Sequence, residues 1–154
     1  MVKLPEPIDV RTARTWSARR RLEFIEFRLF WQGTVNRADL TEKFGTSPQQ
    51  ATIDLGDYQR LAPGNCVYDR IQKTYVAGRP FKPLFEGCRP EVYLNELRTL
   101  GEGIVTKYDA WLGVVPAFEG FRFPAPRIVP AVLRAVLRGI HQGRAVLVFY
   151  QSSR

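Results

Sequence analysis

The chain has 154 residues, 45% of them hydrophobic and 25% charged, which is the balance of an ordinary globular protein. No apolar run approaches the roughly 18 residues that a membrane-spanning helix needs, and the N-terminus lacks a signal-peptide core. Cys66, Cys88 and the single histidine, His141, are too scattered to form a zinc site. We therefore expect a cytoplasmic protein with no metal or other cofactor, whose cysteines are reduced and structural, with a disulfide between them as the alternative.

Positive charge is in excess, because 23 Lys and Arg residues stand against 15 Asp and Glu residues, for a formal net charge of +8. Such a surplus suits a polyanionic partner, either a nucleic acid or an anionic membrane surface. Basic residues are concentrated in residues 1–21, which include Arg19 and Arg20. We expect this arm either to contact phosphates or to be solvated.

Two helices are predicted first along the chain. Apolar residues at helical spacing predict a helix from about Ser17 to Gln32, which Gly33 ends. A shorter helix is predicted over Arg37–Phe44, with Asn36 as its N-cap and Gly45 as its stop.

A third helix and a hairpin follow. The helix is predicted over Pro48–Leu61, with Ser47 as its N-cap and Gln50 at the position of a capping-box partner. Two short strands, Cys66–Tyr68 and Thr74–Ala77, are joined by a polar tip. Helix, short helix, tight turn, helix and hairpin is the order of elements in a winged helix-turn-helix.

The rest of the chain predicts a helix over Pro90–Leu100, an aromatic connector with buried rings, a helix over Pro130–Gln142 and an apolar strand over Ala145–Gln151. Because a lone apolar strand needs a partner, we expect the chain either to end inside a second domain or to pair with another chain. The predicted fold is mainly α with small β, in three parts: a winged helix-turn-helix DNA-binding domain (1–89), a helical and aromatic connector (90–128), and the first helix and strand of a second, α/β domain (129–154).

The third helix is predicted to read bases in the major groove. At 100° per residue, Ala51, Leu55 and Tyr58 share the face that we assign to the core. Glutamine can pair with adenine through two hydrogen bonds, and an apolar side chain can meet the thymine methyl group. The opposite face and its flanks carry Gln49, Gln50, Thr52, Ile53, Gly56 and Arg60.

Two residues on that face leave alternatives open. Ile53 either contacts DNA or packs on the wing or the second helix. Gly56 costs about 1 kcal/mol against alanine in a helix, so it either admits the DNA backbone or packs tightly against a neighbouring helix.

Phosphate contacts are predicted around this helix. Arg37, Ser47 and Gln49 lie at or beside helix N-termini, whose free N–H groups suit phosphates. The hairpin tip carries Arg70, Gln72 and Lys73, which we expect to reach the minor groove or its phosphates. The predicted DNA-binding residues are Arg19, Arg20, Arg37, Ser47, Gln49, Gln50, Thr52, Ile53, Arg60, Arg70, Gln72 and Lys73.

Several segments resemble one family of bacterial regulators. Asn36–Leu40, Phe44–Ser47, Gln50–Leu55 and the wing over Tyr68–Tyr75 are similar to the N-terminal domain of WYL-domain transcriptional regulators. The closing helix and the segment Val146–Ser152 resemble the first helix and the first strand of a WYL domain. The most similar subgroup contains the repressors found beside anti-phage defence operons, the BREX- and CBASS-associated regulators.

The resemblance implies a homodimeric repressor that binds an inverted repeat in double-stranded promoter DNA. The resemblance assigns base recognition to Ser47–Ile53 and the role of the DNA-contacting wing to Arg70–Lys73. It also places Tyr150 and Ser152 at the start of a domain that binds an effector, either a nucleotide or a nucleic acid. The Trp-Tyr-Leu tripeptide of that domain is absent. We therefore expect no effector response from these residues. Because the helix over Pro130–Gln142 and the strand over Ala145–Gln151 are too apolar to stand alone in water, we expect dimerisation through residues beyond about Pro90. The alternative is a monomer whose final strand folds back on its own connector.

No motif for catalysis is present, since the sequence contains neither a phosphate loop nor a GxSxG elbow. We expect His141 to be solvated, and Asp54 and Asp57 to make local contacts within their helix. The protein is therefore expected to be a regulator and not an enzyme, without a membrane role. The alternative is a winged helix that binds protein or RNA and reads no operator.

Overall fold

The computed structural model describes residues 16–118 and 129–149. Contacts within the chain divide it into two units, residues 1–120 and residues 121–154. The first unit contains every described element except α5. In chain order the elements are α1 (Trp16–Gln32), β1 (Thr34–Val35), α2 (Arg37–Phe44), α3 (Pro48–Leu61), β2 (Cys66–Asp69), β3 (Thr74–Ala77), a 3-10 turn (Glu86–Cys88), α4 (Pro90–Gly101) and α5 (Pro130–His141).

Helix α2 begins and ends where its sequence predicts. The Asn36 side chain accepts a hydrogen bond from the backbone N–H of Asp39 at 3.1 Å, and the Asp39 carboxylate accepts one from the backbone N–H of Asn36 at 2.7 Å. These two bonds form a capping box that satisfies N–H groups at the helix start. Gly45 ends the helix with φ at 63°, a conformation that costs glycine little.

Helix α3 starts at Pro48, and the Ser47 hydroxyl accepts a hydrogen bond from the backbone N–H of Gln50 at 3.1 Å. The predicted N-cap is therefore confirmed. The prediction that Gln50 completes a capping box is wrong, because its side-chain amide donates to the Asp54 carboxylate at 3.0 Å instead. A capping box needs the Gln50 side chain to accept a hydrogen bond from the backbone N–H of Ser47, and no such bond is formed.

The sheet has the strand order β1-β3-β2 and is antiparallel throughout. Strands β2 and β3 form the predicted hairpin, with Tyr68 opposite Tyr75. The Asp69 carboxylate fixes the tip, because its Oδ1 accepts from the backbone N–H groups of Ile71 at 2.8 Å and Gln72 at 3.0 Å. Strand β1, over Thr34–Val35, was not predicted, since two residues show no periodicity.

The core lies between α1, α2 and α3. The predicted inner face of α3 is confirmed, because Ala51, Leu55 and Tyr58 are fully buried. Burying a side chain the size of leucine or phenylalanine contributes roughly 1.5–3 kcal/mol, so this cluster supplies much of the stability of the fold. Its α1 and α2 members are Leu22, Phe24, Ile25, Phe27, Leu29 and Leu40.

Part of the aromatic connector packs on α1 in the same unit. The Trp111 ring is buried and meets the rings of Phe24 and Phe27 edge to face, at centroid distances of 5.9 and 5.5 Å. The Lys43 ammonium, at the end of α2, donates to the backbone carbonyls of Tyr108, Asp109 and Ala110. Burial lowers the pKa of this lysine. The expectation of buried rings is confirmed for Trp111 and wrong for Tyr108, which is 81% exposed, and for Phe118, which is also exposed. The other two aromatic residues of the connector, Phe121 and Phe123, lie outside the described residues.

A buried polar network ties residues 80–88 to α1 and α3. The Glu26 carboxylate accepts from the backbone N–H groups of Leu84 and Phe85, and from the Tyr58 hydroxyl at 3.0 Å. Asn65 donates in turn to the Tyr58 hydroxyl at 3.1 Å. Burial raises the pKa of Glu26, although its hydrogen bonds act in the opposite direction.

Cys66 and Cys88 are free, buried thiols, as expected. Burial raises the pKa of the Cys66 thiol to about 12 and also raises the pKa of Cys88. Both therefore carry their protons at neutral pH and are not the reactive kind of cysteine.

The second unit contributes α5, whose predicted range of Pro130–Gln142 is confirmed to within one residue. The predicted strand over Ala145–Gln151 does not form across residues 145–149, because no described residue pairs with that backbone. Tyr150 and Ser152 lie outside the described residues. Within the described ranges, no helix is both long enough and apolar enough to cross a lipid bilayer.

Candidate nucleic-acid interface

Helix α3 has one face fixed in the core and one face open. On the open side Gln49, Thr52 and Ile53 are exposed. Ile53 keeps 54% of its surface exposed, so neither the wing nor α2 buries it. A slim, mostly polar surface with one apolar side chain has the shape and chemistry that reading a major groove requires.

A nearly buried ion pair holds α3 against α1. The Arg21 guanidinium donates to both oxygens of Asp54, at 2.6 and 3.2 Å, and their side chains are 12% and 4% exposed. The expectation of a local contact for Asp54 is confirmed, because Gln50 donates to it within α3. The ion-pair partner of Asp54, by contrast, is 33 residues away. Asp57 does pair locally, with Arg60. The two-bond geometry fixes the orientation of α3 as well as its distance from α1.

A second ion pair positions α2. The Arg28 guanidinium donates to Asp39 at 2.8 Å, and Asp39 is also the residue that caps α2. The start of α2 is therefore fixed to α1, and Arg37, its first residue, is exposed beside α3.

The structure brings three of the predicted DNA-binding residues to one depression. Arg37 of α2, Thr52 of α3 and Lys73 of the wing line a hollow of about 190 Å³. Tyr68 and Tyr75 line it from the hairpin. Sequence reasoning missed both tyrosines, although the alternation of a hairpin places directly opposed residues on one face and could have found them.

The remaining predicted residues are spread around this hollow and beyond it. Arg70 and Gln72 are exposed at the wing tip, where Ile71 is 93% exposed. Ser47 caps α3, Gln50 is held by Asp54, and Arg60 pairs with Asp57.

Arg19 and Arg20 do not line the hollow. Both pair with Glu23 on α1, at 3.0 and 3.2 Å. The Arg20 guanidinium also lies over the Trp111 ring, 4.2 Å from its centroid. This part of the basic arm is therefore engaged with its own domain.

Gly56 has open space beside it. A Cβ built at this position would meet only the Arg60 guanidinium, at 3.9 Å. Tight packing against a neighbouring helix is therefore not the reason for a glycine here, and the alternative of close approach by DNA stays a prediction.

Three helices with α3 presented outward, followed by a hairpin at its side, define a winged helix-turn-helix domain. The chain belongs to the BrxR family of transcriptional regulators, because the family model described as the BrxR transcriptional regulator winged helix-turn-helix domain matches residues 17–99. This match confirms the resemblance inferred from the sequence for that domain.

The names of curated relatives are consistent with a family of transcriptional regulators. The chain is 40% identical over 137 residues, 89% of its own length and 46% of the relative's, to a Stenotrophomonas maltophilia protein named DNA-binding transcriptional repressor CapW. Proteins of the same name from Escherichia coli (strain KTE188) and Pseudomonas aeruginosa are 36% and 34% identical over 142 residues, which is 92% of this chain and 48% of each relative. The chain therefore spans about half the length of the curated relatives it matches.

Proposed function

We propose that the protein is a transcriptional repressor that binds double-stranded DNA with sequence specificity in the cytoplasm. The observation that carries this proposal is the division of α3 into a buried face and an open face with Gln49, Thr52 and Ile53. The ion pair between Arg21 and Asp54 holds that open face in one orientation.

Different residues take different roles in this proposal. Gln49 reads a base edge, because it is exposed and no described residue holds its side chain. Ile53 supplies an apolar contact of the kind that recognises a thymine methyl group. Gln50 serves mainly to complete the hydrogen bonding of Asp54. Arg37, Arg70 and the net charge of +8 supply contacts to phosphates, which position the domain without reading the sequence.

The proposal extends to assembly and regulation. Two copies would bind an inverted repeat, since a winged helix that reads one half-site gains affinity from a symmetric partner. The names of the relatives support repression, and we infer an operon of anti-phage defence as the target. An effector, a nucleotide or nucleic acid, would act on the region that starts near Tyr150 and Ser152.

Selection from a random duplex pool tests this function. We expect enrichment of one motif, and an affinity for it that falls steeply with salt because bound phosphates release counterions. Arg37→Ala should weaken binding to every duplex and flatten the log–log salt slope by about one unit. Arg98→Ala, which removes an exposed cation from α4, is the matched control and should leave the slope unchanged. A pool without enrichment, or binding that ignores salt, would contradict the proposal, as would equal affinity for double-stranded RNA.

A further inference from the structure

The hollow between α2, α3 and the wing combines positive charge with aromatic hydroxyl groups. It has a volume of about 190 Å³ and is lined by Asn36, Arg37, Thr52, Tyr68, Lys73 and Tyr75. None of these residues is acidic, so nothing in the lining offsets the two positive charges.

Four donor side chains of this hollow have no partner among the residues that the structure describes. Among the residues that the structure describes, none forms a hydrogen bond or ion pair with the side chains of Arg37 and Lys73 or with the hydroxyls of Tyr68 and Tyr75. Other arginines of the same unit behave differently, since Arg21 and Arg28 pair with carboxylates. Four unpaired donors around one hollow indicate a ligand that accepts hydrogen bonds and carries negative charge.

Strand pairing fixes where these donors lie. Tyr68 and Tyr75 are opposed across the hairpin, with ring centroids 4.9 Å apart. Val35 pairs with Tyr75 two residues before Arg37, so β1 brings the start of α2 beside β3. The Thr74 hydroxyl donates to the Val35 carbonyl at 3.1 Å and strengthens this link. The backbone positions that carry the donors are thus set before any ligand binds, which lowers the entropy that binding costs.

We propose that this hollow binds one phosphodiester group of the DNA backbone, with the hydroxyls of Tyr68 and Tyr75 donating to the phosphate oxygens between Arg37 and Lys73. The inference rests on the proposed DNA binding and adds a defined phosphate site with two tyrosines to it. Burial raises the pKa of Tyr75, so its hydroxyl keeps the proton that it donates. Because Thr52 of α3 lines the same hollow, a phosphate held here sets the register of α3 on the bases.

Removal of each hydroxyl tests the site. Tyr68→Phe and Tyr75→Phe should each weaken binding about tenfold on every duplex, since each loses one hydrogen bond to a charged group. Both variants should keep the melting temperature of the wild type, because the hydroxyls have no described partner in the protein. Tyr108→Phe is the matched control, since its side chain is exposed and it does not line the hollow.

Neutral phosphates in the DNA locate the contact. In a series of duplexes that each carry a single methylphosphonate, binding of the wild type should weaken at each contacted phosphate, and one position per half-site should be the phosphate held in the hollow. A methylphosphonate at that position should weaken binding of Tyr75→Phe less than it weakens binding of the wild type. The reason is that the methylphosphonate and the Tyr75→Phe substitution remove the same contact. If the wild type binds its duplex but no position distinguishes it from Tyr75→Phe, the phosphate site is refuted while DNA binding stands. If the wild type binds no duplex, the proposed function fails, and this inference fails with it.

Discussion

Replacement of Gly56 by alanine separates the stability of α3 from its contact with DNA. Alanine is favoured over glycine inside a helix by about 1 kcal/mol. The added Cβ would meet only the Arg60 guanidinium, at 3.9 Å, an ordinary van der Waals contact with a flexible side chain. No clash therefore reduces the gain, and the free energy of unfolding should rise by about 1 kcal/mol. In a domain of this size that gain corresponds to a melting temperature higher by about 4–8 °C.

The same variant should bind DNA more weakly. Position 56 lies on the open face of α3, so the added methyl group would stand between the helix and the DNA backbone. Thermal denaturation followed by circular dichroism measures the stability, and fluorescence anisotropy with a labelled duplex measures the affinity. Asn95→Ala on α4 is the control, since it changes helix propensity at an exposed site away from α3 and should leave the affinity unchanged.

The two readouts refute different parts of the reasoning. A Gly56→Ala protein that is no more stable than the wild type would contradict the open space described beside α3. A more stable protein with unchanged affinity would contradict the close approach of DNA at this position.

Three further predictions concern the scaffold and the assembly. Asp54→Ala should lower the free energy of unfolding by about 3–5 kcal/mol in chemical denaturation, because the nearly buried Arg21 loses its carboxylate; a loss below about 1 kcal/mol would show that the pair is not effectively buried. Burial raises the pKa of Glu26 above its ordinary value of 4.5, so the folded state binds the Glu26 proton more tightly than the unfolded state does. The stability that comes from this protonation is fully present below pH 4.5 and is lost as the pH rises through the pKa of the folded state. Denaturation across that window should show the wild type losing stability relative to Glu26→Gln, and a constant difference between the two would refute the shift. Light scattering at micromolar concentration should give twice the chain mass of 17.7 kDa, because the exposed Leu133 and Leu137 of α5 offer an apolar surface to a second copy. A mass of 17.7 kDa would rule out the dimer.

Helix boundaries could be predicted because their signals are local. Asn36, Ser47 and Gly45 act on backbone groups within four residues of themselves, so a short stretch of sequence contains the whole cause. The inner face of α3 could be predicted for a similar reason, since helical periodicity alone selects Ala51 and Leu55.

Contacts between distant parts of the chain could not be predicted in the same way. Nothing in the sequence near Asp54 indicates that Arg21, 33 residues earlier, is its ion-pair partner. Gln50, predicted to cap the helix, instead donates to Asp54 and so supports this ion pair. The strand predicted near the end failed for a related reason, because a strand needs a neighbour and apolar sequence alone does not supply one.

The site itself was predicted in part. Arg37, Thr52 and Lys73 were expected to bind DNA separately, and their meeting in one hollow depends on the pairing of β1 with β3. Because β1 is only two residues long, no sequence pattern predicts it. The hairpin tyrosines, by contrast, follow from a register that the sequence already implies.

The central claim is that the open face of α3 reads base sequence, and one comparison tests it most directly. The ratio of affinities for the selected duplex and a scrambled duplex of equal composition should be measured at one salt concentration for the wild type, Gln49→Ala and Gln50→Ala. We expect the wild type to prefer its duplex by about 10³-fold or more, and Gln49→Ala to lose about 1–3 kcal/mol of that preference. Gln50→Ala should lower the melting temperature and keep the ratio, because its amide supports Asp54. A wild-type ratio near one, or a ratio that Gln49→Ala leaves unchanged, would contradict base reading by this helix.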